Sequence, residues 1–144
     1  ATICMARGLA KEGVVHTIEI NPELDYIAKK YFELAGLQEK IRTHIGDAKE
    51  IIPKLDMQID FAFVDGAKPD YSVMYEMIKP KLRLGGFLAV DNVLWSGKVA
   101  MGAEDKLTRS MHEFTKKVSE DKEVEMIILP GRDGLMLVRK IADC

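Results

Sequence analysis

Apolar positions along this chain follow two rhythms that take turns. Short blocks rich in β-branched and aromatic residues predict strands at Val14 to Ile20, Ile41 to Ile45, Ile59 to Val64, Phe87 to Val90, Val124 to Leu129 and Leu135 to Ile141. Between them apolar residues recur three and four apart, as one face of a helix requires. Leu24, Ile27, Ala28, Tyr31 and Ala35 mark one helix, and Leu107, Met111, Phe114 and Val118 mark another. Tyr71, Met74, Tyr75, Ile78 and Leu82 mark a crossover helix, closed by Gly85-Gly86. A helix over residues 1–10, with Ile3, Ala6, Leu9 and Ala10 on one face, ends at Gly13, and a brief one runs from Lys49 to Leu55. Asn21-Pro22 is a start signal and Gly36 a stop. Trp95 to Asp105, with Gly97 and Gly102, reads as a loop or lid, and the Asp133-Gly134 pair predicts an antiparallel hairpin between the last two strands.

The order αβαβαβαβαββ implies one α/β domain over residues 1–144, with a mostly parallel sheet, an antiparallel last strand and helices on both faces. Its opening helix should follow a strand and a glycine-rich turn, and neither precedes it in the 144 residues. The net charge of -2 removes the overall basic footprint of a nucleic-acid or membrane-surface binder. Cys4 and Cys144 match no metal or redox spacing, and no apolar run approaches the ~20 residues of a membrane-spanning helix. The expected setting is a reduced, cytoplasmic one.

Chemistry concentrates where the central strands end. Phe61-Ala62-Phe63-Val64 runs into Asp65, and Phe87-Leu88-Ala89-Val90 into Asp91-Asn92. Adjacent parallel strands lie ~4.8 Å apart, so two charged oxygens and an amide oxygen can share one hard cation such as Mg²⁺. The competing role is capping of the helices that follow. Lys68, three residues past Asp65, is a candidate general base if burial or a nearby cation disfavours its ammonium; a solvated loop lysine is the plainer alternative. Glu19, ending its strand, suits the ribose hydroxyls of a nucleotide-type cofactor. Asp47-Ala48 could border an adenine or form an ordinary turn, and Trp95 could wall a planar substrate or simply pack. His16, His44 and His112 show no paired-ligand spacing, and neither a G-x-S-x-G elbow nor a phosphate-binding glycine loop is present.

In order, the segments HTIEINPE (16–23), IGDAKEIIP (45–53), FVDGAKPDY (63–71), LRLGGFLAVDNVLWSGKV (82–99) and PGRDGLMLVRK (130–140) resemble the cation-dependent class I O-methyltransferases, the caffeoyl-CoA and catechol enzymes. The resemblance implies a Rossmann-like S-adenosylmethionine methyltransferase sheet, S-adenosyl-L-methionine as cofactor and usually Mg²⁺. It assigns Asp65, Asp91 and Asn92 to the metal, Glu19, Asp47, Ala48 and Asp65 to the cofactor, and Lys68 to proton transfer. It also implies that the family's first strand and glycine-rich loop are missing from this chain, which reads as N-terminally truncated. A chain lacking them is expected to bind cofactor weakly. Ala67 stands where plant members carry aspartate and catechol enzymes tryptophan, which weakens any inference of a phenylpropanoid-CoA substrate.

The leading expectation is methyl transfer to a hydroxyl of a catechol-like or other metal-chelating small molecule, by a homodimer. A second is methylation of a tRNA hydroxyuridine, for which Lys98, Lys106 and Arg109 are the suggestive basic residues. A third is a non-catalytic binding module without its cofactor loop. A nicotinamide oxidoreductase is disfavoured, because nothing supplies G-x-G-x-x-G.

Overall fold

Eleven regular elements in the expected order make up the computed structural model, which describes residues 1–102 and 105–143. Contacts gather them into two compact units, Ala1–Leu55 and Asp56–Cys144. The first unit contains α1 (Thr2–Arg7), β1 (Val15–Glu19), α2 (Glu23–Leu34), β2 (Ile41–Ile45) and α3 (Ala48–Ile51). Strands β1 and β2 pair in parallel, with Glu19 opposite Ile45. Alternation along β1 puts Val15 against a small core of Ala6, Phe32 and Ile41, while His16 stays exposed. α2 starts at Glu23 with Pro22, rather than the expected Asn21, in the cap position; Asn21 Oδ1 accepts the Glu23 N–H at 3.0 Å from just outside it. Gly36 follows α2 in the left-handed region, φ 67°.

Two boundaries in this unit differ from expectation. α1 ends at Arg7 with Gly8 as its cap, well before Gly13. The helix expected from Lys49 to Leu55 is one turn of α3 followed by a 3-10 turn, Ile52–Lys54. Pro53 lacks the N–H that an α-helical continuation would use.

The second unit contains β3 (Ile59–Val64), α4 (Tyr71–Ile78), β4 (Leu82–Asp91), α5 (Lys106–Glu120), β5 (Val124–Leu129) and β6 (Leu135–Lys140). Its sheet runs β3-β4-β6-β5, with β3 and β4 parallel and β6 antiparallel to both its neighbours. Val64, Leu88, Val90, Met136 and Val138 form one buried face. The partner helices meet through Tyr71 and Tyr75, whose rings contact Phe114 edge-on at centroid distances of 5.6 and 6.3 Å. α5 starts where Asp105 caps it, accepting the Thr108 N–H at 3.1 Å and its hydroxyl at 2.7 Å. Residues 103 and 104 of the expected loop lie outside the described residues.

The reading of Gly85-Gly86 as a helix stop is corrected by the structure. α4 ends at Ile78, a 3-10 turn over Lys79–Lys81 contains Pro80, and Leu82 already belongs to β4. The two glycines form an irregularity inside the strand, between the pairings Ile59–Leu82 and Phe61–Phe87. Gly85 has φ 77°, and a Cβ on Gly86 would lie 2.9 Å from the Arg83 carbonyl oxygen. Any other residue at Gly86 would push its Cβ against backbone oxygens that cannot readily move.

Candidate active site

Parallel pairing of Val64 with Val90 makes the residues that follow them, Asp65 and Asp91-Asn92, neighbours at one edge of the sheet. This is the edge beyond the carboxyl ends of parallel strands, where α/β sheets bind ligands. Lys68 joins the two tips. Its Nζ donates to Asp65 Oδ1 at 3.1 Å, to Asn92 Oδ1 at 2.8 Å and to the Tyr71 hydroxyl at 2.8 Å. Tyr71 in turn donates to the Asp91 carbonyl at 3.0 Å. A lysine ammonium thus sits among oxygens from both strand ends.

The electrostatics follow from these contacts. Burial pulls the Lys68 pKa down, but hydrogen bonds to Tyr71 and Asp65 outweigh it, and the net shift is upward. Burial raises the Tyr71 pKa, with the Lys68 hydrogen bond working against it, so the phenol stays neutral and donates. Asp65 is exposed and makes no helix cap; the 3-10 turn that follows, Lys68–Asp70, has Ala67 in its cap position and no side-chain cap. Asp91 Oδ1 accepts the N–H of Asn92 at 2.8 Å. Asn92 holds φ 59°, a conformation that asparagine tolerates better than most residues. Among the described residues no three His, Cys, Asp or Glu side chains gather as a metal centre. The donors at these tips are two carboxylates and an amide.

The loop after Asn92 is bound to the β5–β6 hairpin. Val93 and Leu94 N–H groups donate to the Gly134 and Asp133 carbonyls at 3.1 and 2.9 Å, and the Ser96 N–H donates to Asp133 Oδ1. Together they line a polar cleft of about 560 Å³ formed by Asp91, Asn92, Ser96, Arg132 and Asp133. Trp95 is half-buried next to this cleft in sequence but is not among its lining residues. Sequence patterning gives Tyr71 and Arg132 no role at the site. Tyr71 falls on the apolar face of its helix, and only its position three residues after Lys68 hints at a polar partnership. Arg132 sits in a segment that reads as a turn.

In the first unit, the Gly46 N–H donates to the Glu19 carbonyl at 2.9 Å, drawing the ends of β1 and β2 together. Glu19 Oε1 accepts the Asn21 N–H at 2.9 Å. The side chain lines a cavity of about 150 Å³ with Thr17, Asp25 and Thr43. Asp25 Oδ1, buried there, has no hydrogen-bond partner among the described residues. Asp47 caps α3, its Oδ1 accepting the Lys49 N–H at 2.8 Å, and Ala48 opens the helix. His16 and His44, unrelated by spacing, are brought together across the strands, with Nδ1 and Nε2 2.9 Å apart.

The profile of a protein family described as O-methyltransferase matches residues 1–141. The chain belongs to this O-methyltransferase family. It is 30% identical to tricin synthase 2 of Oryza sativa subsp. japonica, a match that covers 98% of this chain and 53% of the relative. It is also 30% identical to the caffeoyl-CoA O-methyltransferase of Mesembryanthemum crystallinum, over 97% of this chain and 60% of the relative. The chain therefore spans between half and two thirds of the length of these relatives. The α/β architecture is similar to that of the O-methyltransferase TomG from Streptomyces achromogenes, solved in complex with S-adenosylmethionine, with a TM-score of 0.88 and 27% identity, over 97% of this chain and 67% of that one. No helix among the described residues is long and apolar enough to cross a membrane.

Proposed function

We propose that the protein is an S-adenosylmethionine-dependent O-methyltransferase acting on a small, hydroxylated aromatic acceptor that presents two adjacent oxygens to a divalent cation such as Mg²⁺. The observation that carries this reading is the Lys68 ammonium held by Asp65 and Asn92 at adjacent parallel strand ends. Oxygens that gather a cationic group suit a hard cation, and Asp65, Asp91 and Asn92 would hold it. Bound there, such a cation supplies the charge that lowers the pKa of a chelated hydroxyl. S-adenosylmethionine supplies an electrophilic methyl group; Glu19 would hold its ribose and Asp47-Ala48 its adenine.

The remaining tasks fall to this chain's own side chains. Were those oxygens to hold a cation, Lys68 would lose two of its three acceptors, and charge repulsion would favour release of its ammonium proton to solvent. The resulting neutral amine would then take the acceptor's hydroxyl proton. Tyr71 anchors Lys68 from the buried side. Trp95 flanks the acceptor ring. Alignment of the acceptor oxygen with the methyl group accounts for most of the rate.

The test is methyl transfer from S-adenosylmethionine to catechol, with Mg²⁺ or with a chelator, for the wild type and Asp91→Ala. The expected result is loss of activity in chelator and a fall of roughly 100-fold or more in the variant, the scale of one lost preorganised electrostatic contact. Cofactor affinity should stay nearly intact. Full activity in chelator would remove the cation from the reading, and failure to bind S-adenosylmethionine would remove methyl transfer itself.

A further inference from the structure

Among the described residues, Arg132 is the one cationic residue lining the cleft beside Asp91 and Asn92. Its neighbour Asp133 is engaged elsewhere, accepting the Ser96 N–H. Among the described residues no carboxylate forms an ion pair with Arg132. Its backbone is also unusual. Asn92, Trp95, Ser96 and Arg132, with φ between 47° and 59°, are the non-glycine residues in the left-handed region among those described. Three of the four line this cleft, and the fourth lies between two of them in sequence.

An L residue in that region costs about 1–2 kcal/mol, and such strain collects where surrounding structure holds a functional geometry. Here the surrounding structure is the double tie from Val93 and Leu94 to the hairpin carbonyls. It fixes the tip that carries Arg132 against the Asp91-Asn92 strand end. Arg132 is exposed, so its guanidinium is open to a ligand in the cleft of about 560 Å³, which is large enough for a one-ring acceptor with a substituent. A planar fork of donors matches a carboxylate or phosphate.

We propose that Arg132 binds an anionic substituent of the acceptor, so that the preferred substrates are hydroxylated aromatic acids or phosphates rather than neutral catechols. This rests on the methyl-transfer function proposed above and adds the chemical class of its acceptor. Arg132 selects the acceptor by charge, and the strand-end oxygens take its hydroxyl side.

Calorimetric binding and methyl-transfer rates with catechol, 3,4-dihydroxybenzoate and 3,4-dihydroxyphenyl phosphate, in Mg²⁺, test this. The wild type should favour at least one charged acceptor over catechol by about tenfold in affinity, as expected for one charge-assisted pair. The two charged compounds separate a carboxylate site from a phosphate site. Arg132→Gln should bring the preference close to one. Arg132→Gly, which relieves the backbone strain, should do the same, so that loss of preference is not a folding defect. Equal binding of charged and neutral acceptors, no measurable binding of either charged compound, or a preference that survives both substitutions would overturn the assignment. Methylation of catechol without any charge preference leaves the methyltransferase standing and removes the anion site. An Arg132-dependent preference without methyl transfer to any acceptor does the reverse.

Discussion

Tyr71 shows how much of a site can rest on one hydroxyl. The residue is 1% exposed, and its OH connects the Lys68 ammonium to the Asp91 carbonyl. Tyr71→Phe keeps the ring against Phe114 but leaves that carbonyl without its donor and Lys68 without one acceptor. The expected cost is about 1–3 kcal/mol in urea denaturation, together with a fall in kcat exceeding any change in cofactor affinity. A variant as stable and active as the wild type would show that the hydroxyl does not organise the site. In the sequence, Tyr71 reads only as the first apolar position of an amphipathic helix. The same aromatic residue serves packing with its ring and bonding with its oxygen, and periodicity registers only the first.

Among the elements, the β5–β6 hairpin matters beyond closing the sheet. Gly134 has φ 80°, and a Cβ placed there would lie 2.5 Å from Leu94 Cγ. Gly134→Ala should therefore destabilise the protein by about 2–4 kcal/mol, combining backbone strain with overpacking. It should also weaken acceptor binding more than cofactor binding, because the tip and the 92–96 loop move together. Unchanged thermal stability would rule out the close approach. Strand cores and their order were legible in advance, since alternation and β-branched composition depend only on local chain geometry. The crossover helix's end was not. Gly85-Gly86 resembles a stop, but Pro80 had already ended the helix, and the glycines serve a strand irregularity whose need arises from the partner strand.

At the scale of the molecule, the two units should answer acid differently. In the first, partial desolvation of the otherwise exposed His16 ring, then the charges of His44 and Arg42, hold its pKa below the usual 6.5. The unfolded chain then binds the proton more readily, so stability present above pH 6.5 declines as pH falls below it. Arg42 is itself tethered to the Glu39 carbonyl at 3.0 Å, so its charge stays near the pair. In the second unit Asp121 accepts from Tyr75 and Lys79 at 2.8 and 2.9 Å. Burial raises its pKa, but the Lys79 hydrogen bond and the Glu123 and Tyr75 donors outweigh it, and the net shift is below the usual 3.8. A depressed carboxylate stabilises above its unfolded value and loses that contribution as pH falls through the folded one. Amide-exchange protection followed from pH 7.5 to 3 should begin to fall in β1 and β2 below pH 6.5, while β3 to β6 hold until pH falls below the usual carboxylate value of 3.8. Simultaneous loosening, or reversed order, would refute the assignment of these groups.

The sequence by itself determined the alternation of strands and helices, the antiparallel last strand, the acids and amide at the strand ends and the family resemblance that the profile match bears out. These follow from local propensity and from motifs that lie contiguously along the chain. Only the tertiary structure decided what converges on those strand ends. Lys68 reaches Asn92 across 24 positions, the 92–96 loop is tied to Asp133 and Gly134, and His16 meets His44 across 28 positions. Such contacts depend on strand register and on how two turns face each other. Asp65 and Asp91 can be read as acids at the ends of two strands; that they share a lysine, and that an arginine stands beside one of them, requires the sheet to have formed.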